Sequence, residues 1–521
     1  MCSSDLYLLT RTLFRLRVVG GQNLPRQGPA LLVCNHLSFA DALLVQAATG
    51  RSIRFLTYKP YTEHPALRWL FRVMNTIPVR GAVDDNAEAL REARSALERG
   101  DLVCLFTEVA ANRTGGLPAF APTFARLAAD LQVPIVPVSL DRTFGSLLGF
   151  KGRQLVSTPP SRVPFPVTVA FGAVLPSSMP AVLVRLALLE LGSDISGQRH
   201  AAEDTLGSAF VRTAKRRFFA FGLADSTGRR LTFGRALVAS LLLARWLRRQ
   251  TEGAHAVGLL LPSSVGGALA NVATSLAGKI AVNLNFTAGA DAMAHAVAAC
   301  EVRTIVTSKQ FLAKAGLAEM PGMVFLEDIL PTVVRPAAAL GTLVMSLLLP
   351  TRALLHFAGG AAARCDDTAT VIFSSGSTGA PKGVVLTHRN ILSNLDGIEQ
   401  IIEFTHGDVL MGVLPFFHSF GYTGTMWFPL TSGFGVVFHP NPTDAKTIGE
   451  LAQQHHATIL ISTPTFCGAY ARKVPPEHFA TLRYAIVGAE KLREPVARAF
   501  KERFGVTLLE GYGCTELAPV V

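Results

Sequence analysis

The sequence is short of charge, of paired cysteines and of long apolar runs. Only 17% of its 521 residues are Asp, Glu, Lys or Arg, against 49% apolar, a balance that excludes a disordered, self-solvating chain. The seven cysteines (Cys2, Cys34, Cys104, Cys300, Cys365, Cys467, Cys514) are scattered, with no two at C-x-x-C spacing. That argues against a zinc ribbon, a dithiol redox site or a disulfide scaffold, and fits inert thiols in a reducing compartment. No apolar run reaches the roughly 20 residues that a bilayer span needs. The longest, Pro336 to Pro350, lies between Arg335 and Arg352 and is expected to form a buried or interfacial helix. Met1 to Val19 is broken by Arg11, Arg15 and Arg17 and lacks a small-residue cleavage site, so no secretory signal is expected. There is no internal repeat.

What is present points to two large α/β modules. At roughly 150 residues per domain the length allows about three folding units, each able to bury a core. Short apolar runs at 29–34, 101–106, 133–140 and 166–172, with a helical pattern over 86–98, predict strands alternating with helices. A second series follows at 257–262, 280–285, 304–308, 371–379, 435–440, 458–464 and 484–490. The boundaries read from this pattern are 1–180 for the first module, 181–209 for a helical linker, and 210–521 for the second. Lys and Arg exceed Asp and Glu by 49 to 37, giving a net charge of +12. A basic surface gathers polyanions, and anionic lipid is the better candidate. Zinc-finger spacing, a basic zipper and aromatic RNA-binding motifs are missing, so nucleic acid is not expected.

The first constellation follows the run PALLVC: Asn35-His36-Leu37-Ser38-Phe39-Ala40-Asp41. A histidine with an aspartate five positions on, at a strand-to-helix turn, can take a proton from a hydroxyl while the carboxylate orients the imidazole. By itself such a pair is more often a capped helix start. The whole string, however, resembles the signature of the glycerolipid acyltransferase family over roughly residues 20–175. Ile77-Pro78-Val79-Arg80-Gly81 is similar to the family's second block, and VPIVPVSLD (133–141) to its fourth. The resemblance implies His36 as general base on a lysophospholipid hydroxyl, Asp41 as its orienter and Arg80 as a substrate-phosphate ligand; a guanidinium fork suits a phosphate. The third block, Phe106-Thr107-Glu108-Val109, keeps the family's Phe and Glu, with Glu108 assigned a supporting catalytic role. Thr107 and Val109 replace its Pro and Gly, a departure that bears on activity and not on fold.

The second constellation is Ser374-Ser375-Gly376-Ser377-Thr378-Gly379-Ala380-Pro381-Lys382-Gly383-Val384. Small residues let successive backbone N–H groups turn towards a polyphosphate, and a lysine adds charge. Pro381 before Lys382 and Gly383 after it exclude a Walker loop. The string is similar to the hallmark loop of the adenylate-forming superfamily, which includes acyl-CoA and acyl carrier protein synthetases. Pro415-Phe416-Phe417-His418-Ser419-Phe420-Gly421, Val487-Gly488-Ala489-Glu490 and Glu510-Gly511-Tyr512-Gly513-Cys514-Thr515-Glu516 follow in the family's order. The resemblance implies ATP and Mg2+ as cofactors. It assigns nucleotide contacts to Ser375, Gly376, Ser377, Thr378, Gly379, Lys382, Gly383, Gly488, Ala489, Glu490, Tyr512 and Thr515, substrate gating to His418, and the metal to Glu516. The family's ribose-binding aspartate, hinge and C-terminal subdomain have no counterpart before Val521, so the chain is expected to be C-terminally truncated and weak in adenylation.

The pairing resembles the bifunctional acyltransferase/acyl-[acyl carrier protein] synthetase family. It implies fatty acid activation, a thioester on acyl carrier protein or coenzyme A, and transfer to a lysophospholipid at the cytoplasmic face of a bacterial inner membrane. Two other classes remain open: a coenzyme A or amino-acid-activating ligase with a non-catalytic N-terminal module, and a non-catalytic membrane-binding fragment.

Overall fold

The computed structural model describes residues 13–35, 40–59, 68–79, 86–106, 122–141, 149–151, 154–156, 165–374, 381–402 and 404–520. Contacts divide the chain into two compact units, Met1–Arg199 and His200–Val521.

The first unit is built on a seven-stranded sheet in the order β1-β9-β6-β2-β5-β3-β4. Its strands are β1 (Phe14–Val19), β2 (Ala30–Cys34), β3 (Ile53–Tyr58), β4 (Ile77–Val79), β5 (Leu102–Phe106), β6 (Ile135–Asp141) and β9 (Phe165–Phe171), with β7 (Gly149–Lys151) and β8 (Gln154–Val156) forming a separate hairpin. β6, β2, β5, β3 and β4 run parallel, whereas β9 is antiparallel to β6 and parallel to β1. A strand sandwiched between helices must be apolar at every position, and β2 and β5 are. Leu32, Cys34, Cys104 and Phe106 pack on one face with Leu44 and Val45 of the helix Asp41–Ala47. Leu31, Val33, Val103 and Leu105 pack on the other with Ala89, Ala93 and Ala96 of the helix Ala87–Glu98. The small alanines let that helix approach the sheet closely, and Asn86 caps its start by accepting from the Ala89 amide at 3.2 Å.

The stretch 181–209 is divided between the units. Helix Ala181–Gly197 buries Val184 and Leu188 on the first sheet, and helix Leu206–Arg216 starts the second unit with a Thr205–Ser208 capping box. At the end of the first unit the Arg199 Nε donates to both oxygens of Asp141 at 2.9 Å. Both side chains are only 8% exposed. Removing one partner of a buried pair strands the other charge, so Asp141→Ala is expected to destabilise this unit by about 3 kcal/mol. Denaturant unfolding should show that loss; a change under about 0.5 kcal/mol would mean the pair is solvated.

The second unit contains two sheets. One has the order β11-β10-β19-β18-β20-β21-β22 and the other β15-β14-β12-β13-β16-β17. The strands are β10 (Phe221–Asp225), β11 (Arg230–Thr232), β12 (Ala256–Leu259), β13 (Ile280–Asn283), β14 (Ile305–Thr307), β15 (Met323–Phe325), β16 (Thr368–Ser374), β17 (Lys382–Thr387), β18 (Val409–Gly412), β19 (Gly435–Phe438), β20 (Ile459–Ser462), β21 (Tyr484–Val487) and β22 (Leu508–Glu510). One large core joins residues of both sheets, and helix Val265–Leu276 is buried along its whole length inside it. Such a helix must be apolar or small all round. Its one amide, Asn271, is satisfied by reciprocal hydrogen bonds with Asn283 at 3.1 and 2.9 Å. Burial pushes the thiols of Cys365 and Cys467 up to about 11 and about 12, so both stay protonated.

His388 opens the helix His388–Ile401, is 3% exposed, and its Nδ1 accepts the Leu206 amide at 3.3 Å. Burial draws its pKa down from 6.5 to about 4. A folded-state pKa below the unfolded value makes the unfolded chain bind protons first. Stability is therefore complete above pH 6.5 and falls as the pH drops towards 4, by about 3 kcal/mol for this group. Unfolding free energies across that window should show the fall in the wild type and a flatter profile in His388→Gln, which keeps an acceptor without a titrating ring. Equal slopes would remove His388 as the cause.

Candidate functional site

In the first unit, β2, β4 and β5 are parallel members of one sheet and end at Cys34, Val79 and Phe106 on the same edge. In parallel sheets that carboxyl edge is where sites form. The acyltransferase-like motifs continue from those strand ends. Of the expected residues, His36, Arg80 and Glu108 lie outside the described residues. Asp41 is the first residue of its helix and fully buried. Asn35, which the sequence reading passed over, donates to the Leu140 carbonyl at 2.9 Å and accepts from the Leu140 amide at 2.7 Å. The residues on either side of 36–39 are thus fixed to β6 and to the helix start.

In the second unit, β16 leads into 375–380 and β17 returns antiparallel, with Phe373 opposite Gly383 and Ser374 opposite Lys382. Ser375, Gly376, Ser377, Thr378 and Gly379 lie outside the described residues, while Lys382 and Gly383 are exposed at the start of the returning strand. Beside Ser374 opens a cavity of about 680 Å³. It lies where segments leave the carboxyl ends of β13, β16, β18, β20, β21 and β22, contributing respectively Asn285, Ser374, His418, Thr463, Gly488 and Thr515. Ala489, Glu490, Tyr512 and Glu516 also line it, whereas Lys382 and Gly383 do not. Sequence reasoning missed Asn285 and Phe466 in this wall, whereas Phe420 belongs to the motif it had singled out; both follow an apolar strand, and only the convergence of strand ends picks them out.

The wall is held by specific contacts. Ser419 donates to the Thr515 hydroxyl at 3.3 Å. The Glu490 carboxylate accepts from the Thr465 hydroxyl, and Glu510 accepts from the Leu492 amide at 2.7 Å. Ala489 adopts a left-handed φ of 66°, a conformation that costs a non-glycine residue about 1 kcal/mol and clusters at functional turns. At Gly513 a Cβ would lie 1.9 Å from the Pro519 carbonyl oxygen, so the chain can fold back there only without a side chain. Asn394 donates to the carbonyls of Leu517 and Val520 at 3.3 and 2.5 Å, pinning the segment after Glu516 to helix His388–Ile401. Directly after the cavity-lining Phe420, Gly421–Trp427 forms a buried π-helical stretch, a distortion frequent beside functional sites.

His418 stacks at a tilt on Phe417, with centroids 4.7 Å apart, and Phe417 meets Phe286 edge-on. Desolvation among these rings lowers the His418 pKa below its ordinary value, so at neutral pH it is an uncharged hydrogen-bonding group. Glu490 and Glu516 put two carboxylates in the wall, and among the described residues no lysine or arginine lines it. Among the described residues no group of three or more His, Cys, Asp or Glu side chains could hold a metal by protein ligands alone. That donor set suits Mg2+, which takes one or two carboxylates and completes its shell with phosphate oxygens and water.

Residues 208–521 match the family model of the AMP-binding enzymes, more than half of the chain. The chain belongs to the AMP-binding enzyme family. Ahead of this AMP-binding module, residues 15–141 match the acyltransferase family model, so the protein is a fusion of the two. Within the AMP-binding enzymes it is 30% identical over 158 residues to a long-chain-fatty-acid–CoA ligase of Bacillus subtilis, covering 30% of this chain and 28% of that protein. It is 36% identical over 159 residues to a probable 4-coumarate–CoA ligase of Dictyostelium discoideum, 29% of each. A longer match, 27% over 307 residues, joins it to a 4-coumarate–CoA ligase of Narcissus pseudonarcissus, covering 57% of this chain and 54% of that one. The chain thus spans under a third of the first two relatives and about half of the third. The crystal structure of an anthranilate CoA ligase in complex with anthranoyl-AMP shares the fold at a TM-score of 0.50 and 20% identity, covering 62% of this chain and 61% of that one.

Proposed function

We propose that the protein couples ATP-dependent activation of a fatty acid to acylation of a lysophospholipid hydroxyl. The observation that carries this reading is the fusion itself: an acyltransferase module and an AMP-binding module in one chain. The cavity supports the first half. Leu414, Phe420, Phe466 and Ile486 offer apolar wall beside the hydroxyls of Ser374 and Thr515 and the neutral imidazole of His418. Glu516 would hold Mg2+ together with nucleotide phosphates, and the ion would supply charge neutralisation as the fatty-acid carboxylate displaces pyrophosphate from the α-phosphate. Lys382, exposed beside Ser374 in the β16–β17 register, is the adjacent cation. In the first module His36 takes the lysophospholipid proton, Asp41 orients it, Arg80 grips the phosphate and Glu108 supports them.

Joining producer and consumer of a thioester in one chain raises its effective concentration at the second site. The carrier thiol on this reading is acyl carrier protein, with lysophosphatidylethanolamine as acceptor, the reaction of a 2-acylglycerophosphoethanolamine acyltransferase. Coenzyme A is the second reading for the thiol, favoured by the naming of the matched relatives as CoA ligases.

The test is a substrate panel on the intact chain. Pyrophosphate exchange into ATP is measured with long-chain fatty acids, 4-coumarate and amino acids, and labelled acyl transfer from acyl carrier protein or coenzyme A to lysophosphatidylethanolamine is measured alongside. Weak fatty-acid-dependent exchange, together with transfer to the lysophospholipid from a supplied acyl thioester, is the expected pattern. Exchange with coumarate or an amino acid alone, and no transfer, would replace the reading with that of a simple ligase.

A further inference from the structure

The helix Pro336–Leu348 is apolar on both sides: Leu343 and Met345 pack against the core, and further apolar residues face outward. Its two hydroxyl residues, Thr342 and Ser346, are buried at 3% and 0% exposure, with the Ser346 hydroxyl bonded to the Thr342 carbonyl at 2.7 Å. Leu340, Val344, Leu347 and Leu348 are the exposed ones, at 64, 45, 48 and 77%. These four stand at i, i+4, i+7 and i+8, so they form one continuous stripe. An amphipathic helix that meets water turns such a stripe inward. One that packs inward and still shows a leucine stripe outward has an apolar face left for a non-aqueous neighbour such as lipid. Its inward neighbour here is helix Phe233–Gln250.

The helix lies too short to cross a bilayer. Its 13 residues span about 20 Å against about 30 Å of hydrocarbon. Among the described residues no single helix is long and apolar enough to cross, and Leu326–Val333 together with Pro336–Leu348 is bent by 72°. Charge fits the surface of an anionic bilayer. Arg335 and Arg352 are exposed just beyond the two ends of the stripe, and from Ile329 to Cys365 the sequence has arginines but no Asp or Glu. The preceding acids are engaged elsewhere, Glu327 with the Ser308 hydroxyl at 2.6 Å and Asp328 with Lys309 at 2.7 Å.

We infer that this face docks the AMP-binding module on an anionic lipid surface, with the leucine stripe in the acyl–headgroup boundary and Arg335 and Arg352 at the headgroups. The inference does not rest on the proposed chemistry, since vesicle binding needs neither ATP nor acyl transfer. The test is co-sedimentation of the intact chain with vesicles of phosphatidylethanolamine and phosphatidylglycerol, and with vesicles of phosphatidylcholine alone. The wild type should prefer the anionic vesicles, less so at high salt. Replacing Leu340 and Leu348 by Glu should lower partition at least about tenfold on both compositions. Arg335→Ala with Arg352→Ala should lower it about tenfold or more on anionic vesicles alone, and this pair decides the matter if the leucine variant fails to fold. Wild type that ignores vesicles, or variants that bind as wild type does, would overturn the inference. So would a wild-type dimer lost in the leucine variant with vesicle binding intact, which would give the face to a second copy.

Discussion

Replacing His36 by Ala is expected to reduce acyl transfer to a lysophospholipid about a thousandfold, the usual cost of losing a general base. Pyrophosphate exchange by the AMP-binding module should be untouched, because the two sites belong to separate compact units. The local scaffold makes the variant a clean one. Asn35 is held to Leu140 from both sides of its amide, and Asp41 is fixed at a helix start, so the described residues flanking position 36 keep their anchors. Labelled transfer from acyl carrier protein, measured beside exchange in the same preparation, reads both activities. Transfer that survives in His36→Ala would move the base elsewhere and undo the assignment of Asp41 with it.

The mirror-image result is expected from Glu516→Gln. Fatty-acid-dependent exchange should fall about a hundredfold, and transfer from a preformed acyl thioester should continue. Glu516 is exposed in the cavity wall, so its loss should leave the melting temperature where it was. The variant keeps the shape and removes the charge, and its half-saturating Mg2+ concentration should therefore rise. A fall in exchange with unchanged Mg2+ dependence would take Glu516 out of the metal's shell and leave it a nucleotide contact at most. Together the two variants test whether a single chain holds two separable reactions.

Much of the architecture was legible because strands covered on both faces are uniformly apolar. PALLVC and DLVCLF could be little else, and they became β2 and β5. Pairings between distant segments were not legible. Nothing in Phe14–Val19 states that it runs parallel to Phe165–Phe171, because register between strands so far apart is set by the sheet and not by either sequence. The same holds for Asp141, which reads as the end of an apolar strand until Arg199 is seen beside it. The cavity was legible as motifs and opaque as a surface. Glycine-rich and Tyr-Gly-Cys-Thr-Glu strings mark loops with unusual backbone demands, and Gly513 meets such a demand. Asn285 and Phe466 carry no such mark. For Pro336–Leu348, periodicity reveals a stripe but not its direction, which depends on whether the neighbouring helix offers Thr342 and Ser346 a place.

The amide of Asn35 has a consequence for what this motif can tolerate. Its two bonds to Leu140 run in opposite directions, one given and one received. Aspartate has the length but, ionised, nothing to give, and would set a negative charge against a carbonyl. Serine and threonine can give and receive but are an atom too short, leucine can do neither, and glutamine overshoots by a methylene. The first letter of the string is therefore constrained by the directionality of a peptide group rather than by reactivity. A library that randomises positions 35 to 41 should return asparagine at 35 even among proteins selected only for being folded.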